Sequence, residues 1–486
     1  MQSISRRGFL KKSMLTTAGV SAATVMLQTP SSKILGANDR LRVGVIGIRG
    51  KGGQHMSEFH KMENVDVVAL CDIDEAVLGE RVHSLEEDGV KVKAYTDFRD
   101  LLDNDDIDAV SIATPNHSHS LIAIMAILAG KDVYVEKPVS QVVWEGRRLV
   151  DIAKKYNKIV QSGTQNRSDV GLRGALEYLR EGHLGKILWA HGLWYKERQP
   201  IGNANGPQPI PETIDYNLWT GPAPLVPLMR ERLHYDWHWN WDTGNGDMGN
   251  LGVHQIDDCR FLMDQKGLPR RLVSFGERFV WDDDGETPNV QFSVFDTDPA
   301  PIFIEIRNLP AKAGVRAMDH LRGVRMGNII QCEDGFFAGG RGGGWFYDND
   351  RKKIKQFPGD GGGEHHANFI QAVRERDPQI LHAPIEEGHY SSAFCHMANT
   401  SYRLGKYMDI EQIKAQYTHD QALETIDRIR DHLLANNVDL SKTPIKSGPW
   451  LEIDTKKEMF KGEMSFEANM FIRRNDREPF VVPAKT

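Results

Sequence analysis

Cysteine is scarce and scattered. Only four occur, Cys71, Cys259, Cys332 and Cys395, and no two stand as a Cys-x-x-Cys pair. That spacing indicates neither a zinc site nor a disulfide framework. No apolar run reaches the ~20 residues that a membrane span needs. An excess of one charge is also missing. Lys and Arg number 60 against 67 Asp and Glu, a formal net charge of −7. Neither nucleic acid nor an anionic membrane is therefore an expected partner. What is left is the composition of an ordinary soluble protein, 40% hydrophobic and 26% charged. A chain of 486 residues suits two or three domains.

The first residues carry an address. Ser5-Arg6-Arg7-Gly8-Phe9-Leu10-Lys11 is a twin-arginine pattern, and a mildly apolar stretch from Ser13 to Leu27 follows it. A basic start, a short apolar core and small residues near a cut make an export signal. Cleavage after Ala23 or Ala37 fits equally well, and the segment holds no cysteine to carry a lipid. Residues 1–37 are set apart as this signal, which predicts a periplasmic protein with no membrane insertion after export.

From Leu41 onward the pattern is strand, glycine loop, helix, strand. Arg42 to Ile48 is a β-branched strand, Gly47-Ile48-Arg49-Gly50-Lys51-Gly52-Gly53 a loop, and Gln54 to Met62 a helix. A second apolar strand, Val65 to Cys71, ends on Asp72. That is the order of a dinucleotide-binding unit. Glycines let the backbone approach a pyrophosphate, and the helix N-terminus offers it free N–H groups. Gly47, Arg49, Gly50 and Gly52 are the predicted phosphate loop, although Arg49 stands where the usual fingerprint has glycine. Asp72, twenty residues beyond Gly52, is placed to bind the ribose hydroxyls of NAD. It would repel the 2′-phosphate of NADP, which makes NAD the expected cofactor.

The alternation continues through a strand at Ala109 to Thr114, a helix at Ser120 to Ala129, a strand at Asp132 to Val135, a helix at Val142 to Tyr156 and a strand opening at Ile159. Alternating strands and helices imply a parallel sheet with its ligand at the strands' C-terminal ends. Gly47, Asp72, Pro115 and Lys137 all fall at such ends and should line one crevice.

Thr114-Pro115-Asn116-His117, Glu136-Lys137-Pro138 and Gly252-Val253-His254-Gln255-Ile256-Asp257 together resemble the Gfo/Idh/MocA oxidoreductases, the family of glucose–fructose oxidoreductase and inositol dehydrogenase. Trp219-Thr220-Gly221-Pro222, His366-Ala367-Asn368-Phe369 and Ser391-Ser392-Ala393-Phe394-Cys395-His396 are similar to an exported subgroup of it. The resemblance implies an α/β protein: a Rossmann domain over residues 38–162, then an α+β substrate domain over 163–406 with an open, mostly antiparallel sheet. Residues 407–486 are a C-terminal extension expected to pack on the second domain or a partner. The resemblance also implies cofactor contacts from Thr114, Pro115, Asn116, His117, Glu136, Lys137 and Gln165, with Lys137 and His254 acting at the substrate carbinol. Asn250 stands where the family often has an aspartate. An amide cannot take up a proton but can hold a hydroxyl.

In the second domain, strands are predicted at Lys186 to Tyr195, Arg271 to Val280, Asn289 to Phe295 and Ile302 to Arg307. Gly339-Gly340-Arg341-Gly342-Gly343-Gly344 reads as a flexible turn, because no helix-opening lysine or serine follows it. Aromatic residues crowd ahead of the His254 motif: Trp189, Trp194, Tyr195, Trp219, Tyr235, Trp237, Trp239 and Trp241. Indole faces pack against sugar C–H faces, and tryptophan is also usually buried for packing. Tyr195, Trp219, Tyr235 and Trp237, together with Lys137, Asn250 and His254, are the predicted substrate contacts. His234 with His238, His117 with His119, and His365 with His366 lack the carboxylate or cysteine that would complete a metal site, so no metal is expected.

These readings converge on hydride transfer between NAD and a sugar or polyol, with His254 as base and Lys137 orienting the oxygen. Twin-arginine export moves folded proteins, which suits an enzyme that loads its cofactor in the cytoplasm. Two alternatives remain. One is a glycoside hydrolase that retains NAD and works by oxidation, elimination, hydration and reduction, as some relatives in the superfamily do. The other is a non-catalytic sugar-binding protein that keeps the cofactor. A homo-oligomer is left open.

Overall fold

The computed structural model describes residues 40–484. The twin-arginine pattern, the apolar stretch after it, Ala23 and Ala37 lie outside the described residues.

The first unit is a wholly parallel sheet of β1 (Leu41–Ile46), β2 (Val65–Cys71), β3 (Lys93–Tyr95), β4 (Ala109–Ile112), β5 (Asp132–Val135) and β6 (Val160–Ser162). Its order is β3-β2-β1-β4-β5-β6, the doubly wound arrangement with its switch point between β1 and β4. Strands β4 and β5 are buried at every position, which is why they read as unbroken apolar runs. Helices Asn116–Leu128 and Val143–Lys155 cover one face. The other face is covered by Lys51–His60 and by a helix from far downstream, His365–Glu375. Phe369 of that helix is fully buried against the first sheet. Burying such a ring contributes about 1.5–3 kcal/mol. The downstream helix is needed because the local crossovers leave part of this face open.

The second unit is a twelve-stranded sheet. Its main strands are β7 (Ile187–Tyr195), β8 (Arg271–Glu277), β9 (Val290–Asp296), β10 (Ile302–Arg307), β11 (Met326–Cys332), β12 (Gly335–Gly340), β13 (Gly343–Asp348) and β14 (Lys353–Pro358). β15 (Lys406–Met408), β16 (Ile445–Ser447), β17 (Leu451–Asp454) and β18 (Met459–Lys461) complete it. The path runs β14-β13-β12-β11-β7-β10-β9-β8-β16-β15, antiparallel except where β7 meets β10. The parallel sheet followed by a mostly antiparallel one is the fold class expected from the sequence. Helices Val253–Leu262 and Ile385–Arg403 pack on one face. Helix Asp420–Ala435 covers the other through Ala422, Ile426, Ile429 and Leu433.

The C-terminal segment does more than pack on the second unit. It supplies β16 and β17 to the large sheet, both paired with β8. It then returns to the first unit, where Phe480 and Val482 join the core under Asn116–Leu128. The Arg474 guanidinium meets the buried Glu145 carboxylate there at 2.6 Å.

Candidate active site

One cleft of about 500 Å3 runs along the C-terminal ends of the parallel strands and is closed by loops of the second unit. The strand ends build its floor. Gly47 follows β1 with φ +78, and its N–H donates to the Cys71 carbonyl at 2.8 Å, tying the loop to the end of β2. A Cβ at Gly47 would press on the Ala113 backbone. Helix Lys51–His60 then presents its N-terminus, with Arg49, Gly50 and Lys51 on the cleft. Gly52 does not line the cleft. A Cβ there would collide with the Gly47 carbonyl, so this glycine serves close loop–helix packing rather than cofactor contact, a correction to its predicted role.

Asp72 leaves β2 with both carboxylate oxygens engaged. One accepts from the Ile48 N–H at 2.9 Å, the other from the Asp74 N–H at 3.1 Å. Burial raises its pKa above the ordinary aspartate value, the two N–H groups working against that rise. Thr114, Pro115 and Asn116 line the cleft after β4. His117 does not. Its ring is wholly buried between the Trp219 carbonyl at 2.9 Å and the Thr243 carbonyl at 3.3 Å, and burial holds its pKa down to about 3. It joins the two units instead of touching a cofactor, because the first helical turn carries its side chain away from the strand ends.

After β5, the Glu136 carboxylate accepts from the Gln165 amide at 2.9 Å and is 3.1 Å from His55 Nε2. Glu136, Lys137 and Gln165 all border the cleft. The Lys137 ammonium donates to the main-chain carbonyl of Asn250 at 2.7 Å. Burial lowers the Lys137 pKa, with Glu136 opposing.

Asn250 lies in a π-helical turn, Met248–Gly252, that leads into helix Val253–Leu262. Such turns are frequent at functional sites. The Asn250 amide donates to Asp247 at 3.1 Å, and Asp247 is itself held by Arg198 at 3.0 Å and by the Asn308 amide at 2.7 Å. Asn250 therefore borders the cleft as part of a polar network. His254, one turn on, also borders it and has no hydrogen-bond partner among the described residues. Burial, then the Lys137 charge, pushes its pKa down to about 3, so the imidazole is neutral at ordinary pH.

Trp219, Tyr235 and Trp237 form an aromatic wall of the cleft. Tyr235 is 48% exposed with φ +68, and its hydroxyl accepts from Arg198 at 2.8 Å. Tyr195 is a correction. It is fully buried, its hydroxyl donates to Glu305 at 2.5 Å, and Arg428 donates to that hydroxyl at 2.9 Å. Strand alternation puts it on the sheet face under helix Asp420–Ala435, opposite the helix that carries His254. Trp189 and Trp239 are likewise buried, as core tryptophans usually are.

Several cleft residues were not among the predicted contacts. His234 and His238 face the cleft, His234 paired with Asp74 at 3.1 Å. Arg341 reaches the cleft from the glycine-rich turn, and Phe480 from the C-terminal tail. Among the described residues no group of three or more His, Cys, Asp or Glu side chains could hold a metal. The glycine cradle, the helix N-terminus and the Asp72 carboxylate fit a dinucleotide, and Arg49 and Lys51 stand beside that cradle.

Comparison with known proteins agrees with this geometry. Residues 41–164 match an oxidoreductase-family model described as an NAD-binding Rossmann fold, and residues 190–273 match the C-terminal α/β domain of the same family. A glycosyl hydrolase family 109 protein of Shewanella baltica is 32% identical over 40% of this chain and 47% of its own length. An inositol 2-dehydrogenase of Salmonella paratyphi B is 30% identical over 37% of this chain and 52% of its own. The chain thus spans about half the length of the curated relatives it matches. An oxidoreductase domain protein from Kribbella flavida shares the fold at TM-score 0.57 and 18% identity, over 74% of this chain and 96% of that one. The myo-inositol dehydrogenase of Lactobacillus casei, solved with NAD(H) and myo-inositol, does so at TM-score 0.51 and 18% identity, over 75% and 95%. Both domain models are thus matched in order, one in each structural unit, which is the two-domain arrangement of the NAD-binding Gfo/Idh/MocA oxidoreductases.

Proposed function

We propose that this protein is an NAD-dependent oxidoreductase acting on a carbinol of a sugar or polyol, exported to the periplasm by the twin-arginine route. The observation that carries the reading is that Lys137 and His254 border the same cleft as the glycine loop and Asp72. NAD held there supplies the hydride acceptor. Asp72 would take the ribose hydroxyls, and Arg49 with Lys51 the pyrophosphate. Lys137, already donating to an oxygen, orients the carbinol hydroxyl. His254 is neutral and unpartnered, so a ring nitrogen is free to accept the hydroxyl proton as the C–H bond breaks. Trp219 and Trp237 pack against the sugar's C–H face. The inositol 2-dehydrogenase likeness supports this substrate class. Arg6 and Arg7 support export.

Similarity to family 109 glycosyl hydrolases favours a second reading at the same site, glycoside cleavage with NAD retained through turnover. One experiment separates the two. Purified protein is denatured to identify any released nucleotide, and native protein is given a panel of glycosides and free sugars. Net nicotinamide reduction with a keto-sugar product supports the oxidoreductase. Free aglycone without added cofactor supports the hydrolase. Bound nucleotide with neither product leaves a non-catalytic sugar binder.

A further inference from the structure

Of the four Lys and Arg residues that line the cleft, Lys137 and Arg341 are each hydrogen-bonded through the side chain only to a main-chain carbonyl. Lys137 binds the Asn250 carbonyl at 2.7 Å, and Arg341 Nε binds the Gly361 carbonyl at 3.2 Å. Neither is within ion-pair distance of a carboxylate among the described residues. The nearest acid to Lys137, Glu136, is occupied by His55 and Gln165. Lys137 is partly buried and Arg341 is exposed at the cleft's edge, and a cation that borders a cleft without a carboxylate partner is available to a ligand's negative charge.

Arg341 is there by construction. Gly340 pairs with Gly343 across the β12–β13 hairpin, so Arg341 and Gly342 are its two-residue loop. Gly342 has φ +94, a conformation that glycine accepts readily and arginine does not. The charged residue is therefore confined to the first loop position. Asp169, fully buried, clamps the tip. One of its carboxylate oxygens accepts from Gly342 at 2.9 Å and Gly361 at 2.6 Å, while the other caps helix Val170–Arg180 through Gly171 and Leu172. The same buried carboxylate thus fixes both the turn that carries Arg341 and the glycine whose carbonyl orients it. The glycine-rich stretch is an ordered mount for one guanidinium.

Arg49, Lys51 and a helix N-terminus border the cleft at the glycine loop, where a pyrophosphate would find donors without Arg341. Arg341 comes from the other unit, from the side that carries Asn250 and His254. A guanidinium presents paired N–H groups that match a carboxylate in two parallel hydrogen bonds, a pairing that a neutral hydroxyl cannot reproduce.

From this we infer that the substrate is a sugar acid, a hexuronate or its glycoside, whose carboxylate is bound by Arg341 while its carbinol lies at Lys137 and His254. This rests on the sugar-oxidoreductase reading above and narrows it.

The test compares matched pairs, methyl glucoside with methyl glucuronide and methyl galactoside with methyl galacturonide, on protein saturated with NAD. Calorimetric affinity is measured alongside nicotinamide reduction and aglycone release. At least one uronide should bind about tenfold or more tighter than its neutral partner, with a preference that shrinks as salt rises. Arg341→Gln should bring that ratio to near unity, and Arg341→Lys should restore part of it. Equal binding within both pairs, or a preference that survives Arg341→Gln, overturns the inference. So does a variant that loses NAD while keeping the ratio, which would put the guanidinium at the cofactor. Oxidation of a neutral sugar with no uronide preference removes this inference alone. Uronide binding that depends on Arg341 but yields neither product removes the activity reading and leaves the carboxylate site standing.

Discussion

The Lys137 ammonium is bound to the main-chain oxygen of Asn250, not to its side chain. The two residues are therefore coupled through backbone position, and the Asn250 amide is free to serve the Asp247 network. Replacing Asn250 by aspartate would put a second carboxylate against Asp247 in a site that is nearly closed to water. The introduced carboxyl should ionise only well above its usual range, because burial and a like charge both oppose it. A carboxyl with a raised folded-state pKa is tolerated while protonated and penalised as pH rises. Asn250→Asp should thus cost little near about pH 4 and about 1–3 kcal/mol at neutral pH. Melting temperatures across that interval check it. Turnover should persist with an altered pH profile, since Lys137 keeps its carbonyl partner.

Tyr195 makes the opposite case. Its hydroxyl satisfies Glu305 and accepts from Arg428 inside the sheet-to-helix core. Tyr195→Phe should leave substrate affinity unchanged and lower stability by about 1–3 kcal/mol, because a buried acid loses a donor. A large rise in KM with unchanged melting would return Tyr195 to the cleft.

These two residues show what the sequence could and could not reveal. The parallel unit was legible because four of its six strand ends carried a chemical mark: Gly47, Asp72, Pro115 and Lys137. Those marks do meet in one cleft. Tyr195 was misplaced because an aromatic on a strand declares its period but not which face is the site. His117 belongs to a cofactor motif by position, yet helix geometry turns it into the domain interface. Arg341 and Phe480 reach the cleft only through long-range packing, by a hairpin mounted on Asp169 and a tail returning to the first unit. Neither contact leaves a local pattern.

NAD should be bound about tenfold or more tighter than NADP. The Asp72 carboxylate can take ribose hydroxyls and would meet a 2′-phosphate with like charge. Asp72→Ala should narrow the ratio, though it also frees the Ile48 and Asp74 N–H groups that Asp72 now holds. Fluorescence titration with both nucleotides decides the point. Equal affinity in the parent would place Asp72 away from the ribose.

Export should require both Arg6 and Arg7. Converting the pair to lysine keeps the positive charge and removes the twin-arginine pattern, so precursor should collect in the cytoplasm. Fractionation followed by immunoblotting of precursor and mature forms reads this directly. Undiminished periplasmic protein from the double variant would refute the signal assignment.

Lys137 and His254 should matter more to chemistry than to folding. Lys137→Ala and His254→Ala should each lower turnover by about a hundredfold or more, the scale for losing a positioned acid–base group. NAD should be retained, since the glycine loop and Asp72 are untouched. The two residues are also electrostatically linked, because burial first and the Lys137 charge second hold His254 near 3. Removing that charge in Lys137→Ala should move the His254 pKa upward, while burial keeps it below the ordinary histidine value of about 6.5. The sign for stability follows. An imidazole that is neutral when folded is most favourable above about 6.5, and that contribution is lost as pH falls toward the folded value. Lys137→Ala should therefore soften the acid loss that arises from His254, and His254→Ala should remove it. Histidine ring resonances followed by NMR titration give the pKa, and melting curves from about pH 7 to pH 4 give the stability slope. Parental turnover in both variants, with NAD bound and the fold intact, would place the reaction elsewhere. Loss of NAD or of the fold would make the pair structural.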